Sequence, residues 1–169
     1  MILLAFWLAA SSAALNDPLA PAFEGKVQCY QPDAARKTCA SIGAYEKDAD
    51  GTIQNTATVL LRPEPRIVMR SRAPVVVKNG AICGVITERD LQAAAFSIDG
   101  EPADAANAEA LRRAVRPGYA PLLNREVCTA YVPKDQEMTG QVSIDGKRQP
   151  ALDQRVRWVS PAEGFRVAP

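Results

Sequence analysis

Short runs in which apolar and polar residues alternate recur along most of the chain, and they predict a mainly β protein. Two pairs of such runs flank turn dipeptides: 42–47 and 52–61 lie around Asp50-Gly51, and 75–77 and 81–86 lie around Asn79-Gly80. Asp-Gly and Asn-Gly between apolar runs favour tight hairpin turns. Further strands are predicted over 26–30, 66–72, 126–132, 141–145 and 155–159.

Two segments between the strands carry helix signals instead. Residues 87–90 read Thr-Glu-Arg-Asp, a capping sequence ahead of a short helix over 91–95. Asp104 is placed to cap a second helix that Pro117-Gly118 would end. Its apolar positions recur at helical spacing: Ala108, Leu111 and Val115. The fold class expected is therefore α+β and mainly β: an antiparallel sandwich or half-open barrel of hairpins, with two short helices packed on one edge.

The tetrapeptide Ser-Ile-Asp-Gly occurs twice, at 97–100 and 143–146. The sequences around the two copies do not align convincingly, which argues against a duplicated unit. A strand that ends in an Asp-Gly turn explains both copies better.

The first residues resemble an export signal. Residues 2–10 are apolar and uncharged, and four small residues follow at 11–14. Ser12 and Ala14 form a small-x-small pair, so we expect a signal peptide over 1–14 with cleavage before Leu15. No basic residue precedes the apolar run, and the alternative is an N-terminal strand or helix of the core. The expected organisation is then a flexible leader over 15–25 and one domain over 26–169, without a transmembrane segment after cleavage.

Four cysteines follow the apolar segment, as expected for a protein of an oxidising compartment, periplasmic or extracellular. Three pairings are possible, and we favour Cys29 with Cys39 and Cys83 with Cys128. The first pair closes a short loop, and the second joins distant segments. A redox or zinc site fits less well, because no Cys-x-x-Cys motif is present.

Charge and composition narrow the function. Twenty basic residues nearly balance 19 acidic ones, which argues against nucleic acid as a partner. Histidine, the commonest general base and metal ligand, is absent, and no cofactor motif is found. Asp48-Ala49-Asp50-Gly51 begins like a calcium loop, but Val59 stands where the loop needs a glutamate, so we interpret the segment as a hairpin turn.

One group of residues is a candidate binding surface. Arg62, Arg66, Arg70 and Arg72 share one parity, whereas Ile67 and Met69 share the other. In an extended strand the arginines would line one face, where guanidinium groups could bind an anionic envelope component. The alternative is an ordinary solvated face, since Glu64 lies in the same row.

No catalytic constellation stands out. The tyrosines are dispersed and indicate no cluster, and Trp158 alternates with outward-facing arginines and is expected in the core. We therefore expect an exported protein that acts by binding or as a structural or accessory module. The alternative is a histidine-free hydrolase that uses paired carboxylates on cell-wall carbohydrate.

Overall fold

The computed structural model describes residues 17–169, and the predicted signal peptide lies outside them. The prediction of a mainly β fold is confirmed. Eight antiparallel strands form a closed barrel: β1 (Val27–Tyr30), β3 (Ser41–Lys47), β4 (Ile53–Arg62), β5 (Ile67–Lys78), β6 (Ala81–Val85), β9 (Glu126–Lys134), β10 (Glu137–Ile144) and β12 (Gln154–Val159). Five two- to four-residue strands accompany it: β2 (Thr38–Cys39), β7 (Ala95–Ile98), β8 (Glu101–Pro102), β11 (Lys147–Arg148) and β13 (Arg166–Val167).

The barrel strands follow the order β4-β3-β1-β12-β10-β9-β6-β5, and β5 pairs back onto β4. The closing ladder is long: it runs from Ile53 opposite Val75 to Arg62 opposite Ile67, with a register shift between Leu60 and Arg62. Closure satisfies the hydrogen-bonding edges that a sandwich or half-open barrel would leave exposed.

The predicted hairpin turns are explained by backbone conformation. Asn79 and Gly80 both have positive φ, 51° and 76°. Such pairs make type I′ turns, which match the twist of antiparallel strands. Both copies of Ser-Ile-Asp-Gly end in a pair of residues with positive φ. Asp99-Gly100 joins β7 to β8, and Asp145-Gly146 joins β10 to β11.

Three α-helices lie in the described part of the chain: α1 (Ala20–Phe23), α2 (Glu88–Ala93) and α3 (Ala105–Tyr119). Thr87 caps α2 through a reciprocal capping box with Asp90, and Asp104 caps α3 through the backbone N–H of Asn107. The apolar residues predicted for α3 pack on Met69 and Phe96. The expected end at Pro117 is wrong, because α3 continues through it to Tyr119.

Strand β5 is longer than expected. The sequence suggested a break at Pro74, but the strand runs through it from Ile67 to Lys78. Pro74 lacks an N–H group. The strand tolerates this residue because β5 is paired only with β4 at this point and has no partner on its other side. The strands β7 and β8 were not expected, since Ala95 was placed at the end of a helix.

Residues 17–25 pack on the barrel, although the sequence suggested a leader. Leu19 is completely buried and Ala22 nearly so, in a cluster with Tyr45 and Ile82. Met69, Ala94 and Phe96 form another cluster, packed against α3. The two clusters lie toward opposite ends of the β4–β5 ladder.

Both disulfides form in the predicted pairing. Cys29–Cys39 joins β1 to β2 and lies in a buried cluster with Val159. Cys83–Cys128 joins β6 to β9, where the two residues stand directly opposite each other. Within residues 17–169 no helix combines the length and the apolar character needed to cross a membrane.

Candidate functional site

Four polar side chains meet inside the barrel. Gln28 and Tyr30 lie two positions apart on β1, so they share its inner face while Cys29 points to the disulfide outside. Tyr45 comes from β3 and Tyr131 from β9, on the other side of the β1–β12–β10 segment of the wall. The cluster therefore depends on barrel closure and not on sequence proximity.

The three phenols converge on one carbonyl oxygen. Gln28 Oε1 lies 2.8 Å from Tyr30 Oη, 2.7 Å from Tyr45 Oη and 3.1 Å from Tyr131 Oη. Tyr30 Oη and Tyr131 Oη are also 2.7 Å apart. A carbonyl oxygen has two lone pairs. It accepts two of the three phenol protons, and the third proton forms the hydrogen bond between Tyr30 Oη and Tyr131 Oη.

The amide nitrogen of the same glutamine has no partner among residues 17–169. Gln28 is 0% exposed, and its Nε2 makes no hydrogen bond to any of these residues. An unsatisfied buried polar atom of this kind costs about 1–3 kcal/mol. In the described part of the chain the other buried side-chain atom of this kind is Nε of Arg112, whose guanidinium still pairs with Glu109.

Burial keeps the phenols neutral. Desolvation is the main cause that raises the pKa of Tyr30 well above its ordinary value, and the nearby Tyr131 and Tyr45 raise it further. Desolvation also raises the pKa of Tyr45 strongly and that of Tyr131. The cluster therefore carries hydroxyl protons, and no charge, at neutral pH.

A cavity of about 160 Å³ adjoins the three tyrosines. Its polar lining adds Asn55 and Thr129, and the rest is apolar. None of the lining residues is Asp, Glu, Lys or Arg. The apolar lining comes mainly from β5, β6 and β9: Ala73, Pro74, Val75, Ile82, Gly84, Val85, Ile86 and Val127.

The cavity lies where two strands of the wall part. β5 pairs with β6 from Val75 to Lys78 and with β7 from Ile67 to Arg70, so 71–74 bond only to β4. On the facing side, β6 turns away after Gly84. Residues from both sides of this gap line the cavity. The gap is the natural access route to the interior.

The predicted arginines do not form a single row. Arg70 and Arg72 lie on the outer face of β5, opposite the buried Met69, as the alternation predicted. Arg62 ends β4, and Arg66 lies in the turn before β5. Arg72 pairs with Asp48 at 2.7 Å. Among residues 17–169 no carboxylate lies within 4.0 Å of the other three guanidinium groups.

The calcium-like segment is a hairpin turn between β3 and β4, as the sequence analysis preferred. Asp48 accepts hydrogen bonds from Arg72 and Gln54, and Asp50 Oδ1 accepts one from the backbone N–H of Thr52. The backbone bond to Thr52 lowers the pKa of Asp50. Both carboxylates are thus used within the protein.

A larger groove of about 640 Å³ lies beside the β5–β6 hairpin. Its lining includes Val76, Val77 and Val85, each more than a third exposed. An ion pair between Lys78 and Glu126 crosses its edge. Among the described residues that line the groove there is no tyrosine, so it offers less directional chemistry than the interior cavity.

Gln28 and the tyrosine cluster were not predicted from the sequence, where the tyrosines are dispersed. A signal was present, because Gln28 and Tyr30 alternate with an outward cysteine and each tyrosine of the cluster lies in a strand. Their convergence required the strand order, since Tyr30 and Tyr131 are 101 residues apart.

Comparisons with models of protein families, with curated proteins and with solved structures found no match to this chain.

Proposed function

We propose that this protein is an exported binding protein whose small-molecule ligand occupies the barrel interior. The observation that carries the proposal is Gln28, a completely buried amide on which three phenols converge while its nitrogen stays unpartnered. Eight-stranded barrels have interiors that are either filled by side chains or hold one small ligand. Here the cavity beside the phenols supports the second use.

Burying an unsatisfied amide costs free energy. A barrel core made only of apolar side chains would avoid the penalty of an unsatisfied buried amide. The cluster here carries that penalty, and its three tyrosines, which line the cavity, supply directional hydroxyls to a bound molecule. Binding pockets combine largely apolar walls with a few such groups.

A thermal-shift screen of small molecules tests the proposal. A ligand that binds only the folded state stabilises it by RT ln(1 + [L]/Kd), about 2.7 kcal/mol at 100 times Kd. Ala73→Leu would fill the cavity from β5 and should abolish the shift, whereas Ala106→Leu on the exposed face of α3 should leave it unchanged. A shift that survives in Ala73→Leu would place the ligand elsewhere and refute the interior site.

A second candidate function is binding of an anionic envelope component by the arginines at the end of β4, in the turn that follows it and on the outer face of β5. It is favoured by Arg62, Arg66 and Arg70, whose guanidinium groups have no carboxylate within 4.0 Å in the described part of the chain. Because exposed arginines are common on strands, this candidate ranks below the interior site.

The hydrolase alternative gains less support from the geometry. A glycosidase needs a carboxylic acid whose pKa is raised. Side-chain or backbone hydrogen bonds lower the pKa of Asp33, Asp50, Asp145 and Asp153. These four groups are therefore poor general acids, and the proposal is binding.

Export is supported by the two disulfides, which form and persist in oxidising compartments. We expect cleavage after Ala14, which retains Leu19, a buried core residue. N-terminal sequencing of the exported protein should find Leu15 first. A mature product that keeps Phe6 and Trp7 would contradict export by this signal, and a cut beyond Leu19 would remove part of the core.

A further inference from the structure

We propose that the interior site takes an uncharged molecule about the size of one six-membered ring, with a hydroxyl or similar polar edge directed at the tyrosine cluster. The inference rests on the proposed function and adds to it the chemical class of the ligand. It uses three properties of the cavity: its lack of charge, its volume and the distribution of its polar groups.

The lining excludes charged ligands. A buried charge needs a counter-charge or several strong hydrogen bonds, because the barrel interior desolvates it. None of the lining residues carries a formal charge, and the phenols stay protonated because burial raises their pKa. A carboxylate or an ammonium group would therefore lose its hydration without compensation.

The volume limits the ligand to a single ring. A cavity of about 150 Å³ in another protein holds one benzene molecule. The interior cavity here measures about 160 Å³. A fused two-ring molecule would need the wall to expand, and closely packed walls resist such expansion.

The tyrosine hydroxyls lie together, which orients the ligand. Tyr30 Oη and Tyr131 Oη are 2.7 Å apart beside the cavity, while Val75 and Val85 belong to the apolar lining contributed by β5 and β6. With Gln28 Oε1 facing the phenols, their protons are used within the cluster and their lone pairs remain to accept from a ligand. Rotation of the amide frees phenol protons to donate. A ligand hydroxyl, which both donates and accepts, fits either arrangement.

Four probes at pH 7, measured by isothermal titration calorimetry, test this class. Phenol has the proposed size and polarity, benzene lacks the hydroxyl, benzoate is charged, and 2-naphthol has a second ring. Phenol should bind tightest, benzene about tenfold more weakly, and benzoate and 2-naphthol more weakly still. Phenol binding should be lost in Ala73→Leu.

Substitution of single tyrosines adds a matched comparison. Tyr131→Phe removes one hydroxyl at the cavity and should weaken phenol binding about fivefold without changing benzene binding. Tyr119→Phe removes the same group from α3, outside the cavity, and should change neither. Equal losses for phenol and benzene in Tyr131→Phe would mean that the wall had deformed, and would overturn the proposed polar contact.

The results of these experiments distinguish failure of the proposed ligand class from failure of the proposed interior binding. Benzoate binding as tightly as phenol would overturn the uncharged ligand, and tighter binding of 2-naphthol would overturn the single ring. In both cases sensitivity to Ala73→Leu would leave interior binding standing. If no probe binds and no molecule in the thermal-shift screen depends on Ala73, both proposals are wrong.

Discussion

The inner and outer faces of β5 provide different kinds of evidence about function. Its inner face contributes Ala73 and Val75 to an uncharged cavity beside the tyrosine cluster. Its outer face carries Arg70 and Arg72 in solvent. The outer face attracts attention in the sequence, but exposed charges cost little to keep. The inner face is inconspicuous in the sequence, yet its neighbouring buried amide carries a real free-energy penalty.

The free energies of the two kinds of interaction support this distinction between the faces. The pair between Arg72 and Asp48 is roughly half exposed, with side-chain accessibilities of 51% and 39%, and such pairs contribute about 0–1 kcal/mol. An unsatisfied buried amide costs about 1–3 kcal/mol.

High pH should destabilise the inner cluster. Unfolded tyrosines ionise near the ordinary pKa of 10.0, whereas burial keeps Tyr30, Tyr45 and Tyr131 protonated in the folded state to higher pH. The stability linked to the neutral phenols is complete below pH 10 and is lost as pH rises through the folded-state pKa. Each phenol contributes up to about 1.4 kcal/mol per pH unit, and the three together about 4.

Urea unfolding between pH 8 and 11.5, combined with absorbance at 295 nm, measures this effect. Burial also raises the pKa of Tyr119 on α3, so Tyr131→Phe should reduce the total slope by about a quarter. Reversible ionisation of all the tyrosines near pH 10, with an unchanged circular dichroism spectrum, would show that the cluster is not sealed from solvent.

The two disulfides should differ in their contributions to stability. On the loop-entropy model, Cys83–Cys128, with a separation of 45 residues, stabilises by about 4 kcal/mol. Cys29–Cys39, with a separation of 10, stabilises by about 2.7 kcal/mol. Paired Cys→Ala variants, unfolded in urea, give both values. A larger loss from Cys29–Cys39 would show that native packing outweighs loop length.

Gln28→Ala should lower the free energy of unfolding by about 2–3 kcal/mol, because the void and the loss of the acceptor that three phenols share outweigh the relief of one unpartnered amide nitrogen. Arg70→Ala on the outer face is the matched control and should change stability by under about 0.5 kcal/mol. Equal effects in urea unfolding would erase the distinction between the two faces.

The smallest effect is expected for Arg66→Gln combined with Arg70→Gln. Stability should change by less than about 0.5 kcal/mol, since Arg70 is exposed and Arg66 is only half-buried in a surface turn. If the outer face binds an anionic component, affinity for anionic lipid vesicles should fall in this variant and with added salt. Unchanged vesicle binding in a folded double variant would make the arginines an ordinary solvated face.

Much of the local structure was predictable from the sequence. Alternation placed Met69 inward and Arg70 outward, Asn79-Gly80 marked a hairpin, and Thr87 and Asp104 marked helix starts. These features depend on residues a few positions apart, where backbone sterics and side-chain period decide the outcome. The disulfide pairing was also predictable, because only three arrangements were possible.

Barrel closure, the burial of Leu19 and the tyrosine cluster were decided by the tertiary structure alone. Period-two alternation states that Tyr30, Tyr45 and Tyr131 each face one side of a strand, but it does not state which strands become neighbours. That choice depends on the pairing of β4 with β5 and on contacts between residues far apart in sequence, such as Gln28 and Tyr131, which are 103 residues apart. The candidate site therefore appears only when the whole sheet closes, because its side chains come from three separate strands around one interior.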